Sequence, residues 1–211
     1  MHKTVFFISA LLILVSLKSV SQTVALSKQE ALSVKESIII TSKKTTSIIS
    51  KFVQSKHLSF LSKDIISKGN LVFKAPNLIK WEYNNPFKYS VIFKDNQLLI
   101  NDDGIKSDID LSANKAFKNL NNLIIKSVKG DMFDTEKFKI AYLKDAKNYL
   151  ISFTSLDKSL KSFIHKFELT FDRKTFRVLK IKMMETTEDY TIITFSNQKI
   201  NTSVSDAIFN N

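Results

Sequence analysis

The sequence contains no cysteine, and it has only three glycines, two prolines and three histidines among 211 residues. The absence of cysteine excludes a disulfide scaffold, a thiolate metal site, a thiol nucleophile and a lipid-modified N-terminal cysteine. Three glycines leave no room for a phosphate-binding or dinucleotide-binding loop. His57 and His165 have no second histidine or cysteine at ligand spacing. The sequence therefore predicts no enzyme, no metal site and no cofactor.

Acidic residues are also few, since 32 Lys and Arg stand against 20 Asp and Glu, a formal net charge of +12. A basic protein is typical of an anionic partner. Nucleic-acid readout prefers arginine, however, and Arg173 and Arg177 are the only arginines. We therefore interpret most lysines as solvated and predict no nucleic-acid partner. The partner that the net positive charge still indicates is an anionic membrane surface or an acidic protein, to which the attraction would be weak.

The first 21 residues have the layout of a secretory signal peptide. Lys3 precedes an apolar run over residues 5–17, and the small residues Ser19 and Ser21 precede Gln22. The alternative is a membrane anchor, but the run is shorter than the roughly 20 residues that a span needs. We predict cleavage between Ser21 and Gln22 and an exported mature protein.

The remaining residues, 22–211, are predicted to form a single domain with two or three amphipathic helices, of which two have a clear period. Residues 28–44 carry apolar side chains at helical spacing, and Ser27 with Glu30 has the spacing of a capping box. Residues 112–129 have the same period, again with one short apolar stripe. Neither helix can be buried all round, so each must lie on another element.

Between and after these helices the apolar period changes to two. Short polar turns rich in Asn and Asp separate the segments, which is typical of antiparallel strands. Eleven strands are predicted, over residues 47–56, 65–74, 78–83, 89–94, 97–101, 105–111, 138–143, 149–154, 164–171, 176–184 and 190–196. So many antiparallel strands must curl, and the helices would cover one side of a single sheet. The pattern leaves open whether the apolar residues fill a core or line a cavity.

One segment carries a family resemblance. Residues 69–83 begin with Gly69, pass through Pro76 and continue to Trp81 and Tyr83. With the following Asn-Asn-Pro, this segment resembles the signature of the LolA-type periplasmic carriers of outer-membrane lipoproteins. Residues 90–100 resemble the next hairpin of that family, and residues 52–57 resemble its first strand, with the pattern Phe-x-Gln. The order of elements agrees over nearly all of residues 28–210.

The resemblance implies an α+β, mainly β fold: an unclosed antiparallel half-barrel with a helical lid over a hydrophobic cavity. It implies that the cavity shelters acyl chains and that there is no catalysis. The residues implied to line the cavity are Phe73, Ile79, Trp81 and Tyr83. Those implied to belong to the lid are Leu32, Ile38, Ile39, Phe117, Leu120 and Ile124. Ala75 stands at a latch position where the family commonly has an arginine that bonds to the lid, so the resemblance leaves the gating of the lid open.

The function implied is that of a monomeric periplasmic carrier. It would take acylated lipoproteins from an inner-membrane lipoprotein-releasing complex and deliver them to an outer-membrane acceptor. Two alternatives share the fold. The first is a carrier of another lipid or glycolipid, and the second is a lipoprotein-sensing regulatory module, a type that normally has a second domain.

Overall fold

A computed structural model describes residues 23–94, 97–110, 131–161, 164–185 and 187–210. The predicted signal peptide and the predicted helix at 112–129, with the lid residues Phe117, Leu120 and Ile124, lie outside these residues. Within the described ranges, no helix has the length and apolar character needed to cross a bilayer.

The fold is one unclosed antiparallel sheet of twelve strands. In chain order, β1 to β12 are Val24–Ala25, Ser47–His57, Ile65–Lys74, Leu78–Asn85, Tyr89–Lys94, Gln97–Asp102, Ile105–Asp110, Phe138–Lys144, Asn148–Ser155, Lys166–Asp172, Val178–Met184 and Tyr190–Ile200. Their order across the sheet is β1-β8-β9-β10-β11-β12-β2-β3-β4-β5-β6-β7. The prediction of a mainly β fold with a single unclosed sheet is confirmed. The additional strand, β1, has two residues and is too short to show a period.

Two predicted strand ends shift because of local backbone conformation. The strand predicted from residue 176 begins at Val178, because Phe176 has a φ of +54° and closes the preceding turn. The last strand extends past residue 196 to Ile200 through an irregularity at Asn197, whose φ is also +54°. A residue with positive φ interrupts the alternation of side chains along a strand. A strand end predicted from a period of two is therefore misplaced near such a residue.

The helix α1, Lys28–Lys43, is held by hydrogen bonds at its N-terminus and by apolar packing in the turns that follow. Ser27 and Glu30 form the predicted capping box, and the Glu30 carboxylate also accepts a hydrogen bond from Lys144 Nζ on β8. Val34 and Ile38 are buried against phenylalanines of β8, β9 and β10. The helix thus covers the half of the sheet that contains those strands, and we call the covered side the inner face. One further helical turn, Lys158–Lys161, connects β9 to β10.

Part of the opposite, outer face is covered by the C-terminal segment. Val204 and Phe209 are buried with Ile92, which points away from the inner face because it alternates with Phe93. Lys74 fastens this segment: its Nζ donates to Val204 O at 2.9 Å and pairs with Asp206 Oδ1 at 2.6 Å.

Gly69 allows the aromatic packing at the centre of the inner face. It is the cross-strand partner of Phe52, whose ring lies against it. The Phe52 ring meets Trp81 edge-on at a centroid distance of 5.0 Å and Tyr83 at 5.1 Å. A Cβ atom on residue 69 would stand 1.9 Å from Glu82 O and 2.8 Å from Phe52 Cζ. The backbone of β4 therefore approaches β3 too closely for any other residue.

We predict that Gly69→Ala lowers the free energy of unfolding by about 1–3 kcal/mol or more, because the added methyl group overlaps a backbone carbonyl. Lys68→Ala, at an exposed position of the same strand, is the control and should change it by less than about 0.5 kcal/mol. Denaturant unfolding measures both. Equal stability of the two variants would contradict the close strand approach.

We also predict an acid-dependent contribution from Glu30. Hydrogen bonds from Lys144 and then from Ser27 lower the pKa of Glu30 from 4.5 to about 2. Because the folded-state pKa is depressed, this contribution is complete above pH 4.5 and disappears as the pH falls towards 2. Glu30→Gln should therefore melt below wild type at pH 7, and the gap should close in acid. The exposed Glu36 of the same helix gives the control Glu36→Gln, for which a gap of equal size and pH dependence would contradict the assignment.

Candidate functional site

An apolar pocket of about 390 Å³ lies on the inner face, beside the C-terminal end of α1. Its volume falls within the range of about 300–1,000 Å³ that is usual for ligand-binding pockets. Most of the described residues that line it are aliphatic or aromatic, and they come from β2 to β5 and from β10 to β12. It follows β2 from Ile48 to Lys56, a length of about 27 Å at ~3.4 Å per residue.

The structure places the four residues predicted for the cavity in the wall of this pocket. Ile79, Trp81 and Tyr83 alternate along β4 and share the inner face, and Phe73 is the cross-strand partner of Ile79. Ile79 is fully buried and Phe73 is nearly so, whereas Trp81 remains 8% exposed. Contact of these four residues with an acyl chain remains a prediction.

The motifs at residues 52–54 and 69–83 meet in this wall. The Phe52 ring lies behind Trp81 and Tyr83, and the Tyr83 hydroxyl donates to Gln54 Oε1 at 3.1 Å. Burial, and to a lesser degree the neighbouring Tyr89, raises the pKa of Tyr83, so its phenol stays protonated as a donor at neutral pH. The hydrogen bond satisfies two polar groups at the pocket wall and leaves the surface around them apolar.

The helix α1 borders the pocket only with its C-terminal end, at Thr41, Ser42 and the following Thr45. Ile38 is fully buried and Ile39 is partly buried, but both pack over the half of the sheet that contains β8 to β10. Leu32 is 52% exposed. It precedes the buried Val34 by two residues, which is about 200° around a helix, so it is not part of the packed face.

The latch position has no arginine-like contact within the described part of the chain. Ala75 donates its backbone N–H to Thr46 O at 2.9 Å and has no polar side chain. Its neighbour Lys74 points to the outer face, as expected from strand alternation, and holds the C-terminal segment there. Lys74 therefore does not replace the missing arginine.

A polar cluster of Ser55, His57 and Asp64 lies outside the lining of the pocket. The His57 ring pairs with Asp64 at 2.9 Å, and Ser55 binds the other oxygen of the same carboxylate, so Ser55 and His57 share an acid instead of forming a nucleophile–base pair. The His57 ring also stacks on Tyr190 at a centroid distance of 4.7 Å. Among the residues that the structure describes, no cluster of His, Asp or Glu could hold a metal ion.

Pocket residues from the second half of the chain were not among those predicted from the sequence. Phe167, Leu169 and Phe171 on β10 line it together with residues of β11 and β12 such as Ile193 and Phe195. Their alternation was visible in the sequence. Their position opposite β4 depends on the pairing of β12 with β2, which joins the two ends of the described chain.

Two solved structures of low identity share this fold, and a third gives a lower TM-score. MucB aligns with a TM-score of 0.55 at 12% identity, over 88% of this chain and 64% of MucB, so the chain spans less than two thirds of MucB. The lipoprotein LppX from Mycobacterium tuberculosis aligns with a TM-score of 0.50 at 12% identity, over 85% of this chain and 99% of LppX. A LolA superfamily protein from Nitrosomonas europaea gives 0.46 at 14% identity, over 86% and 97% of the two chains.

A comparison with curated protein sequences finds no match. The family model described as outer membrane lipoprotein carrier protein LolA matches residues 43–211. The match begins at the last residue of α1 and covers every strand from β2 to β12. This chain therefore belongs to the LolA family.

Proposed function

We propose that this protein is a periplasmic carrier of lipoproteins that holds their acyl chains in the inner-face pocket. The observation that carries the proposal is the apolar pocket, whose wall contains the motif residues Ile79, Trp81 and Tyr83. Family membership supports the same function. Holding a hydrocarbon chain requires a dry apolar surface and no bond-making step, so the proposal includes no catalysis.

The energetics of such a carrier are those of apolar burial. Each methylene group taken out of water contributes about 0.8 kcal/mol, so a long acyl chain gains strongly from a lining of Phe, Ile and Leu. Transfer to an acceptor then needs only a better-fitting apolar site. The carrier would receive cargo from an inner-membrane lipoprotein-releasing complex and pass it to an outer-membrane acceptor. It would act as a monomer consisting of one domain, residues 22–211, after removal of residues 1–21.

Opening of the pocket would depend on α1, since its C-terminal end borders the pocket at Thr41 and Ser42. Without an arginine at residue 75, nothing in the described part of the chain ties the helix to the β3–β4 turn through a charged side chain. We therefore propose that packing of Val34 and Ile38, together with the Glu30–Lys144 ion pair, determines how tightly the helix is held.

We predict that a brominated acyl probe quenches the fluorescence of Trp81, because bromine quenches indole on contact and this is the only tryptophan of the chain. Ile79→Glu should lower the affinity for the probe about tenfold or more, since it brings a charge into an apolar wall. The half-buried Val91 lines the same pocket, and Val91→Glu serves as a second variant with a smaller risk of unfolding.

Ile92→Glu is the matched control for these variants, because Ile92 is equally buried but belongs to the outer face. Circular dichroism selects the variants that remain folded. Strong quenching in wild type and Ile92→Glu, with weak quenching in Ile79→Glu and Val91→Glu, supports the proposal. Quenching that is absent in wild type, or equal in folded Val91→Glu and wild type, contradicts it.

We also predict that depletion of the protein in its own cells leaves lipoproteins in the inner-membrane fraction. Quantitative proteomics of separated membranes measures this distribution, and re-expression of wild type but not of Val91→Glu should restore it. Normal sorting during depletion would contradict lipoproteins as the cargo and would favour the carrier of another lipid.

A further inference from the structure

The charged side chains that the described residues contribute to the pocket all have one sign. Among the described residues that line it, Lys56 and Arg177 are charged and none is acidic. They lie at opposite ends: Lys56 pairs across strands with Thr191, while Arg177 directly precedes Val178 near the end marked by Ile48 and Ile200. An apolar pocket with a cation at its end is complementary to an amphiphile with an anionic headgroup.

At the Arg177 end, two of the other polar side chains bond to backbone carbonyl groups. Gln198 Nε2 donates to Val178 O at 2.6 Å, and Thr45 Oγ1 donates to Thr41 O at 2.9 Å. The guanidinium of Arg177 is exposed and makes no side-chain hydrogen bond or ion pair within the described part of the chain. It therefore presents a free planar fork of donors, which matches the oxygens of a carboxylate or phosphate.

The acidic residue closest in sequence to Arg177 is turned to a different partner. The Asp172 carboxylate accepts hydrogen bonds from the backbone N–H and hydroxyl of Thr175 and from the backbone N–H of Lys174, which lower its pKa and hold it within its own turn. The nearby C-terminal end of α1 also carries Lys43 and Lys44, whose charges offset the negative end of the helix dipole. The field at this end is therefore favourable to an anion.

The opposite end is less favourable. Tyr89 lines the pocket there, and its pKa is raised by burial and by the negative charge of Asp102. An anionic headgroup beside Lys56 would therefore lie at the end of the pocket where a negative charge already acts on a lining residue. The difference between the two ends selects Arg177 as the partner of a negative group.

We infer that the pocket also binds single acyl lipids that carry their own carboxylate or phosphate, with the headgroup held by Arg177 and the tail lying along the wall formed by Ile79 and Trp81. This inference extends the proposed function, because it uses the acyl pocket but adds a class of cargo that the pocket selects by charge. The acyl chain supplies affinity, and Arg177 supplies the choice of headgroup.

The test compares palmitic acid brominated at its terminal carbon with its methyl ester, using quenching of Trp81 at pH 8 and concentrations below micelle formation. The acid should bind about 5–10-fold more tightly than the ester, as one charge-assisted contact at a partly screened site provides. Arg177→Gln should abolish this preference, and Arg177→Lys should retain part of it. High salt should reduce it.

Lys56→Gln is the matched control, since it removes the other cation of the lining and should leave the preference unchanged. Inorganic phosphate at millimolar concentration should weaken the acid and not the ester, which distinguishes a headgroup contact from general attraction to a basic protein. Equal affinities of acid and ester in wild type, or a preference lost in Lys56→Gln and kept in Arg177→Gln, would overturn the inference. Failure of both probes to quench would instead contradict the proposed function.

Discussion

The structure depends on one constraint: an unclosed sheet has an apolar inner face, and in the part of the chain that the structure describes the helix α1 covers only half of it. This face carries two apolar clusters, one around Phe153 on β9 and the other around Trp81 on β4. Ile181 and Met183 of β11 pack against both clusters. The helix α1 packs Val34 and Ile38 into the first cluster. Within the described residues, the second cluster is not covered by a helix and lines the pocket, which is the candidate site.

On the outer face, by contrast, the chain covers apolar side chains with its own C-terminal segment. The C-terminal segment buries Val204 and Phe209 there, and Lys74 fixes it through the Val204 carbonyl and Asp206. The two faces of the same strands therefore have opposite roles. Adjacent residues of β3 and β4 contribute alternately to a filled layer and to the wall of a hollow.

The sequence predicted those features of the fold that depend on local pattern. The bounds of most strands, the capping box at Ser27 and the shared face of Ile79, Trp81 and Tyr83 follow from periods and from side-chain hydrogen bonds within a few residues. The resemblance at residues 52–57 and 69–83 has a physical basis, because Phe52 requires the missing side chain of Gly69.

Other features could not be predicted because they depend on pairing between distant segments. The helix α1 covers β8 to β10 and not the pocket centre, since Glu30 is fixed by Lys144 more than a hundred residues later. The same long-range register brings β10 to β12 opposite β4. The family resemblance implies that Leu32 belongs to the lid, and only the direction of the buried face of α1 shows that this side chain is exposed.

The central claim is that the inner-face pocket holds acyl chains in the cell. Native mass spectrometry of the protein purified from its own cells tests it most directly. We expect a bound acylated species that is released by detergent and is absent from folded Val91→Glu purified in the same way. A protein that is recovered in quantity without any acyl-bearing ligand, under conditions in which a LolA-type carrier retains its cargo, would contradict the claim.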